Sequence, residues 1–387
     1  MKRGHMKILL VGGTGVLSSA VAKTALERGD SVTMINRGRR EKIDGCEVIV
    51  SDRHDYLKLA DALKGRLFDV IIDFLIFNQS DAIQSYNFFH NKCDQYILIS
   101  SCFVYDFSTG GVMREDSKRG LSCWKYSKGK CEAEDAIIKL AGQRKACEYT
   151  IVRPFVTYGN TRIPYSLAPA HGCDWTMIFR AQSGKPIITW DGGMGRCNIM
   201  RVEDFCTGLF GLMKNESAYG EAVNICGDES PHWKDVITAL EDAVGIEIPL
   251  IDLPKEFVKD YYPQRSEEID GRSYDISASN EKLKKLVPSF RTTISLRDGI
   301  AETVSAYRAR HFQDGVDWIY DARSDEVANA WYKHKHIGSK CGFVNYMGSG
   351  YIKNYLKYIN ASSNSGVIFR MFRKCLNIGM KYAGGLK

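Results

Sequence analysis

Tyr126 and Lys130 stand four residues apart in Tyr-Ser-Lys-Gly-Lys, a spacing that puts both side chains on one face of a helix. An ammonium beside a phenol stabilises the phenolate and lowers its pKa. Such a tyrosine can take or give a proton near neutral pH while a hydride leaves or reaches the neighbouring carbon. A second polar pair precedes it, where the apolar run Tyr96–Ile99 ends in Ser100-Ser101.

A hydride needs a carrier, and the first apolar run leads into Val11-Gly12-Gly13-Thr14-Gly15-Val16-Leu17-Ser18. Glycines let a backbone turn tightly and approach a pyrophosphate, whose charge then faces a helix N-terminus. The strand–loop–helix setting predicts a dinucleotide-binding loop. Ser18 occupies the place of the third glycine and is small enough for close helix–strand packing. The second run ends in Ile35-Asn36-Arg37-Gly38-Arg39-Arg40. An acid at this point would bind the ribose hydroxyls of NAD, whereas an Arg accepts a 2′-phosphate. Asn36 does not repel a phosphate and Arg37 attracts one, which favours NADP(H), with NAD(H) as the alternative. Asp52 follows the third run, placed either to receive the adenine amino group or to cap the next helix.

These residues need strands and helices to hold them. The runs Ile8–Val11, Val32–Ile35, Val48–Val50, Val70–Phe77, Tyr96–Ile99 and Tyr149–Val152 are rich in β-branched residues and apolar almost throughout, as strands buried on both faces are. Helix-like stretches such as Ser19–Arg28 and Asp55–Lys64 lie between them. The alternation predicts an α/β fold with a Rossmann-type doubly wound parallel sheet. After Gly159 the pattern turns irregular, read as loops and short elements over the open end of the sheet. The expected organisation is a dinucleotide-binding domain over 6–159, joined by returning segments near 197–226. A smaller mixed substrate-binding region over 160–308 follows, then a basic, helical C-terminal extension over 309–387.

Composition narrows the class. The chain has 387 residues, 44% hydrophobic and 26% charged, near the globular average, which excludes disordered and fibrous classes. No stretch approaches 18 consecutive apolar residues, so no spanning helix is expected. No secretory signal is expected either. The 12 cysteines are scattered without a CxxC pair, which points to a reducing, cytoplasmic setting and to no metal site. The net charge of +7 is uneven. Residues 331–387 hold ten Lys/Arg and no acid, so the first 330 residues are slightly acidic at −3.

Taken together, Gly12-Gly13-Thr14-Gly15, Ser100-Ser101-x-x-Val104-Tyr105, Tyr126-x-x-x-Lys130, Val152-Arg153-Pro154 with Tyr158-Gly159, and Val202-Glu203-Asp204 resemble, in order and spacing, the extended short-chain dehydrogenase/reductase family. The likeness is to its nucleotide-sugar epimerases and reductases, over about residues 6 to 308. The resemblance implies that Ser101 polarises the substrate oxygen, Tyr126 is the acid/base, and Lys130 tunes it and binds the nicotinamide ribose. It further implies cofactor contacts from Gly12, Thr14, Gly15, Val16, Leu17, Asn36, Arg37, Asp52, Arg53, Phe74, Ser100 and Pro154. Substrate contacts are implied from Ser101, Cys102, Phe103, Arg196 and Arg265. Arg265 precedes Asp275 by ten residues, as a diphosphate-binding Arg does in family epimerases; a salt bridge with Glu268 or Asp270 is the other reading. Arg196 is one residue away from the family's phosphate-binding position, which Cys197 occupies. Trp175, Phe179 and Arg180 could stack on and pair with a nucleotide, or form core.

Two neighbours of Ser101 restrict the chemistry. Family 4,6-dehydratases place an Asp-Glu pair directly after the catalytic hydroxyl, and sugar-nucleotide decarboxylases keep the Glu. Here those positions are Cys102 and Phe103, so dehydration and decarboxylation are not expected. Cys102 reads best as a small buried hydrophobe. The expected activity is a nucleotide-sugar epimerase that oxidises C4 and reduces it again. The alternatives are an NADPH-dependent ketoreductase and, more remotely, a non-catalytic RNA-binding protein on the same fold.

The extension carries a further pattern. Over Gly366–Lys381, Ile368, Met371, Phe372, Cys375 and Leu376 fall on one helical face, and Arg370, Arg373, Lys374, Asn377 and Lys381 on the other. Such a helix packs its apolar face on the body or a second subunit, or lies on an anionic membrane. Packing is the favoured reading. The expected partners are thus a nucleotide-sugar and a second copy of the chain, with peripheral membrane contact through the tail as the other option and no nucleic acid.

Overall fold

The computed structural model describes residues 4–40, 42–121, 123–144, 146–309, 315–343 and 351–361. The first half alternates strand and helix: β1 (Lys7–Val11), α1 (Val16–Glu27), β2 (Ser31–Asn36), β3 (Glu47–Val50), α2 (Tyr56–Ala62), β4 (Phe68–Asp73), α3 (Gln79–Phe89) and β5 (Cys93–Ile99). A short β6 (Val112–Met113), the long α4 (Lys125–Gln143), β7 (Glu148–Pro154) and β8 (Val156–Tyr158) follow. Next come α5 (Trp175–Gln182), β9 (Ile187–Trp190), β10 (Ile199–Arg201), α6 (Val202–Leu212) and β11 (Ala222–Ile225).

Seven strands form one parallel sheet in the order β11-β7-β5-β4-β1-β2-β3. The order reverses beside β1, so β1 and β4 part at their carboxyl ends and open a crevice there. Alternate strand residues feed two separate cores. Ile8, Leu10, Met34, Ile72, Ile97 and Val152 pack under α1 and α6 on one face. Leu9, Val11, Ile35, Ile71, Leu98 and Ile151 pack under α3 and α4 on the other. Burial on both faces is why these runs read as continuously apolar. One run departs from expectation. β4 stops at Asp73 instead of continuing to Phe77. The buried Asp73 carboxylate accepts the Leu75 N–H at 2.9 Å and turns the chain off the sheet.

Beyond Gly159 the structure is more regular than the irregular pattern implies. There are α7 (Trp233–Val244), β12 (Leu250–Leu253), α8 (Lys255–Tyr261), α9 (Ser266–Arg272), β13 (Ser277–Ala278), α10 (Glu281–Leu286) and α11 (Leu296–Ala309). β12 pairs in parallel with β9, β10 with β8, and β13 with β6. α7 buries Trp233, Val236, Ile237 and Leu240 at helical spacing and packs on α11.

The chain continues into α12 (Trp318–His334) and α13 (Tyr351–Ala361). Trp318, Tyr320, Val327 and Ile359 belong to the same core as Trp175, Phe179 and Ile188. At its centre Arg180 bonds Asp321 and Asp325 at 2.5 and 2.9 Å, and Lys185 bonds the same two carboxylates at 2.8 and 2.7 Å. Tyr358 of α13 donates to Asp325 at 2.6 Å. Trp175, Phe179 and Arg180 are therefore core, not nucleotide contacts. The amphipathic stretch over 366–381 lies outside the described residues. Among the described residues no helix is long and apolar enough to cross a membrane.

Arg180→Met would leave Lys185 alone against two buried carboxylates. Removing one partner of a buried ion cluster costs about 3–5 kcal/mol. The expected result is a fall of roughly 4–6 °C in Tm by scanning calorimetry, and an unchanged Tm would show that the cluster is not closed.

Candidate active site

All the functional side chains meet at the carboxyl edge of the sheet, around one cavity of ≈ 1830 Å³. One end is the glycine loop. Gly12 has φ +93, and a Cβ there would lie 2.6 Å from Leu75. At Gly13 a Cβ would lie 2.3 Å from the Met34 sulfur, so the loop must be bare backbone to pass β2. Gly15 caps α1, and its N–H donates to Ser18 Oγ at 2.8 Å. Ser18 thus supplies a helix cap where the third glycine would stand. Gly12, Thr14, Gly15, Val16 and Leu17 line the cavity. A backbone cradle at a helix N-terminus fits a pyrophosphate.

Next along this wall are Asn36, Arg37, Asp52, Arg53 and Phe74, all lining. Asn36 Oδ1 accepts the Gly38 N–H at 2.8 Å and fixes the turn that presents Arg37. Arg37 is exposed. Asp52 accepts the His54 N–H at 3.0 Å; it does not cap α2, whose N-cap is Asp55. Arg53 is already engaged, donating to Leu75 O and lying 3.6 Å from the Asp81 carboxylate.

At the centre stand Ser100, Ser101, Tyr126, Lys130 and Pro154. Ser101 caps the 3₁₀ turn Cys102–Val104, accepting the Phe103 N–H at 3.2 Å. Ser100 Oγ is buried without a hydrogen-bond partner among the described residues. Lys130 is buried and its Nζ donates to Ile76 O at 2.6 Å and Ile99 O at 3.0 Å. An ammonium has three donors, so one remains for a ligand. Burial pushes this lysine down to about 8, against the pull of Asp73 and Glu134. Gly129 makes the approach feasible, since a Cβ there would lie 2.4 Å from Phe77 O. One turn further on, Glu134 pairs bidentately with Arg153 at 2.9 and 2.7 Å, locking α4 to β7.

The electrostatics of the phenol differ from the sequence expectation. Burial raises the Tyr126 pKa. It is opposed by the Ser101 hydroxyl that the phenol faces, then by the charges of Arg272 and Arg162. Lys130 is tethered to two carbonyls, with its Nζ 5.8 Å from the tyrosine ring centre. The cations that favour the phenolate come from the substrate side.

That side is walled by aromatic rings. Phe103 packs against Trp124 and Phe155, with centroids 4.8 and 5.2 Å away. Gly271 of α9 touches the Trp124 ring so closely that a Cβ would overlap it, which brings Arg272 over Phe103 at 5.8 Å. Arg272 is held by Glu268 at 3.0 Å. Arg265 also lines the cavity, bonded to Glu268 and Ala168 O at 2.9 Å each. It forms the salt bridge with Glu268 and faces the cavity at once.

Two substrate expectations are corrected. Cys102 is fully buried, its Sγ 3.1 Å from Arg153 O. The 3₁₀ turn after Ser101 directs it into the core, away from the cavity. Arg196 does not line the cavity either; it pairs with Asp275 at 3.2 Å and His232 at 2.9 Å.

Sequence reasoning missed Arg162, Asp174, Tyr262, Arg272 and the start of α12, all of them lining. No periodic pattern marks them, because loops carry most of them. The Arg162 guanidinium, sunk in the wall, has no hydrogen-bond or ion-pair partner among the described residues. Asp174 is buried, accepts from Tyr307 at 3.2 Å, and is pushed by burial up to about 6.

Comparisons agree with this architecture. The model of the NAD dependent epimerase/dehydratase family matches residues 81–226. A curated relative, the chloroplast stem-loop binding protein of 41 kDa b from Arabidopsis thaliana, is 25% identical over 314 residues, covering 77% of this chain and 78% of its own. Among solved structures, epimerase Mth375 from Methanothermobacter thermautotrophicus superposes with a TM-score of 0.66 at 15% identity, covering 81% of this chain and 95% of that one. UDP-glucuronic acid 4-epimerase from Bacillus cereus, in complex with UDP-glucuronic acid and NAD, gives 0.62 at 20% identity, covering 79% and 100%. The resemblance to the extended short-chain dehydrogenase/reductase family holds, in the matched family region and in the fold.

Asp174 yields a pH prediction. Its folded pKa lies above the unfolded value of 3.8, so the charged form costs stability at neutral pH, and that cost fades as pH falls from about 6 towards 4. Asp174→Asn should raise Tm by about 2–6 °C at pH 7.5, with the gain vanishing near pH 4 in a scanning-fluorimetry series. A gain that does not depend on pH would refute the assignment.

Proposed function

We propose that this chain is an NAD(P)-dependent epimerase of a nucleotide-activated sugar, acting by oxidation at C4 and re-reduction on the opposite face. One observation carries the reading: Ser101, Tyr126 and Lys130 line one cavity together with a backbone cradle for a pyrophosphate and with Arg162, Arg265 and Arg272. The glycine loop and Lys130 would hold a nicotinamide dinucleotide, which would supply reversible hydride transfer. Tyr126 takes the proton of the C4 hydroxyl as hydride leaves and gives it back on return. Ser101 donates to the same oxygen and holds it near the phenol. Lys130 uses its free N–H on a ribose hydroxyl, and the charges of Arg272 and Arg162 favour the phenolate. The matched family and the named NAD complex of a similar fold support a nicotinamide cofactor. Arg37, exposed at the turn after β2, favours the 2′-phosphate of NADP(H).

The Ser/Tyr/Lys set serves a ketoreductase equally well, and the cofactor's fate separates the two. An epimerase regenerates its dinucleotide each turn and retains it; a reductase releases it. A stem-loop nucleic acid is a second reading, favoured by the name of the Arabidopsis relative. The sequence offers it the basic turn Arg37-Gly38-Arg39-Arg40 and the ten Lys/Arg without an acid over 331–387.

Mass spectrometry of the dinucleotide released on denaturation tests the cofactor. Product analysis over a panel of UDP-, dTDP- and GDP-sugars tests the reaction. Tyr126→Phe should lose about 10²–10⁴-fold in turnover while keeping the dinucleotide. Near-wild-type turnover in that variant would remove the phenol from the mechanism.

A further inference from the structure

We infer that α12 is the substrate-selecting wall of the cavity, and that Arg323 on it joins Arg265 in holding the anionic diphosphate of the nucleotide. The inference rests on the nucleotide-sugar reading and assigns part of that site to a segment beyond the end of the motif resemblance.

α12 is built into the cavity in two ways. Its side chains Ile319, Tyr320 and Arg323 line it directly. Its first turn also staples the loop that forms the adjoining wall. The Asp317 carboxylate caps α12, accepting from Ile319 and Tyr320 N–H at 3.1 and 3.0 Å. Its other oxygen accepts the Ala170 N–H at 2.9 Å, and the Asp317 N–H donates to Thr176 Oγ1 at 2.7 Å. The Tyr320 hydroxyl donates to Leu167 O at 2.8 Å. These bonds fix residues 167–176, which carry the lining Asp174 and the carbonyl that holds Arg265. On its far side the helix is anchored by Asp321 and Asp325 in the buried cluster, so this wall cannot swing away without exposing four charges.

Arg323 is suited to an anion. It is a third exposed, and its one ion pair, with Glu326 at 3.1 Å, uses a single guanidinium nitrogen. The rest of the fork has no partner among the described residues. Arg265 likewise keeps one terminal nitrogen unbonded. Two guanidinium groups with spare donors on one wall match the oxygens of a diphosphate. Tyr320, one turn before Arg323 on α12, is close enough to Arg265 to act on its charge, which puts both guanidinium groups on this wall.

The test is calorimetric titration of the full chain with NAD, NADP and a panel of UDP, dTDP, GDP, CDP and ADP. Wild type is compared with Arg323→Gln and Tyr320→Phe, and with Arg297→Gln as an exposed control outside the cavity. Arg323→Gln should weaken the preferred nucleoside diphosphate about tenfold. Dinucleotide affinity should stay within twofold and Tm within about 2 °C. Tyr320→Phe, which loses the bond to Leu167 and the hydroxyl's contact with Ser324, should raise KM for the sugar nucleotide several-fold with kcat little changed. If wild type binds a nucleoside diphosphate and Arg323→Gln binds it equally, the inference fails and the enzyme reading stands. If Tm, dinucleotide and diphosphate binding all fall together in Arg323→Gln, its role is structural and the inference fails. If wild type binds a dinucleotide but none of the diphosphates, the nucleotide-sugar reading fails and the inference with it.

Discussion

The site depends on one buried ammonium. Lys130 gives two of its protons to Ile76 O and Ile99 O, the chain just past β4 and the last residue of β5. A buried charge is costly unless its donors are satisfied. The ammonium therefore holds α4 at a fixed height over the carboxyl edge of the sheet. Gly129 removes the side chain that would prevent this approach, and Glu134 with Arg153 locks the next turn. Tyr126, one turn earlier, has its position set by these contacts before any ligand arrives. The phenol then faces Ser101 because β5 ends beside the same anchor.

Around that anchor the chain treats its cations in two ways. Arg180, Lys185 and Arg153 are fully matched by carboxylates, and they hold helices to strands and to each other. Arg162 has no such match, and Arg265 and Arg323 each keep part of the guanidinium unbonded. Desolvation is the same physics in both groups. The matched cations hold the fold together, and the unmatched ones retain unused bonding capacity for an anion. Arg162, Arg265 and Arg323 all line the cavity, where a ligand has access to them. The slightly acidic balance of the first 330 residues hides this local concentration of positive charge.

Much of this was legible in the sequence because its signals are local. Runs buried on both faces announced the parallel sheet. The glycine loop and Tyr-x-x-x-Lys spacing located the two halves of the site, and every residue expected to touch the cofactor lines the cavity. What failed involved long-range contact or a local turn. β4 ends early through the side chain of Asp73. Cys102 leaves the cavity because a 3₁₀ turn, not a strand, follows Ser101. Arg196 finds Asp275 and His232, which sequence spacing does not disclose. Arg162 and Arg272 sit in a loop and at a helix end, where no periodicity marks a cavity wall. α12 reads as a charged appendage until Asp321 and Asp325 meet Arg180 and Lys185, whose partners lie about 140 residues away.

Within the proposed reading, the distribution of contacts along the cavity suits epimerisation better than simple reduction. Re-reduction on the opposite face requires the oxidised sugar to turn over while its nucleotide stays bound. That calls for firm anchoring at one end and weak directional contact at the other. The wall formed by α12, Arg265 and loop 167–176 is rigid and rich in donors. The wall nearest Ser101 is Phe103, backed by Trp124 and Phe155, with no hydrogen-bonding atoms on the benzyl rings. A ring resting on these faces gains apolar contact without being pinned through its hydroxyls. A reductase gains nothing from such freedom, since one fixed orientation suffices for one hydride. Phe103 serves the same end, because an acid at this lining position would open the way to elimination, while position 102 faces the core.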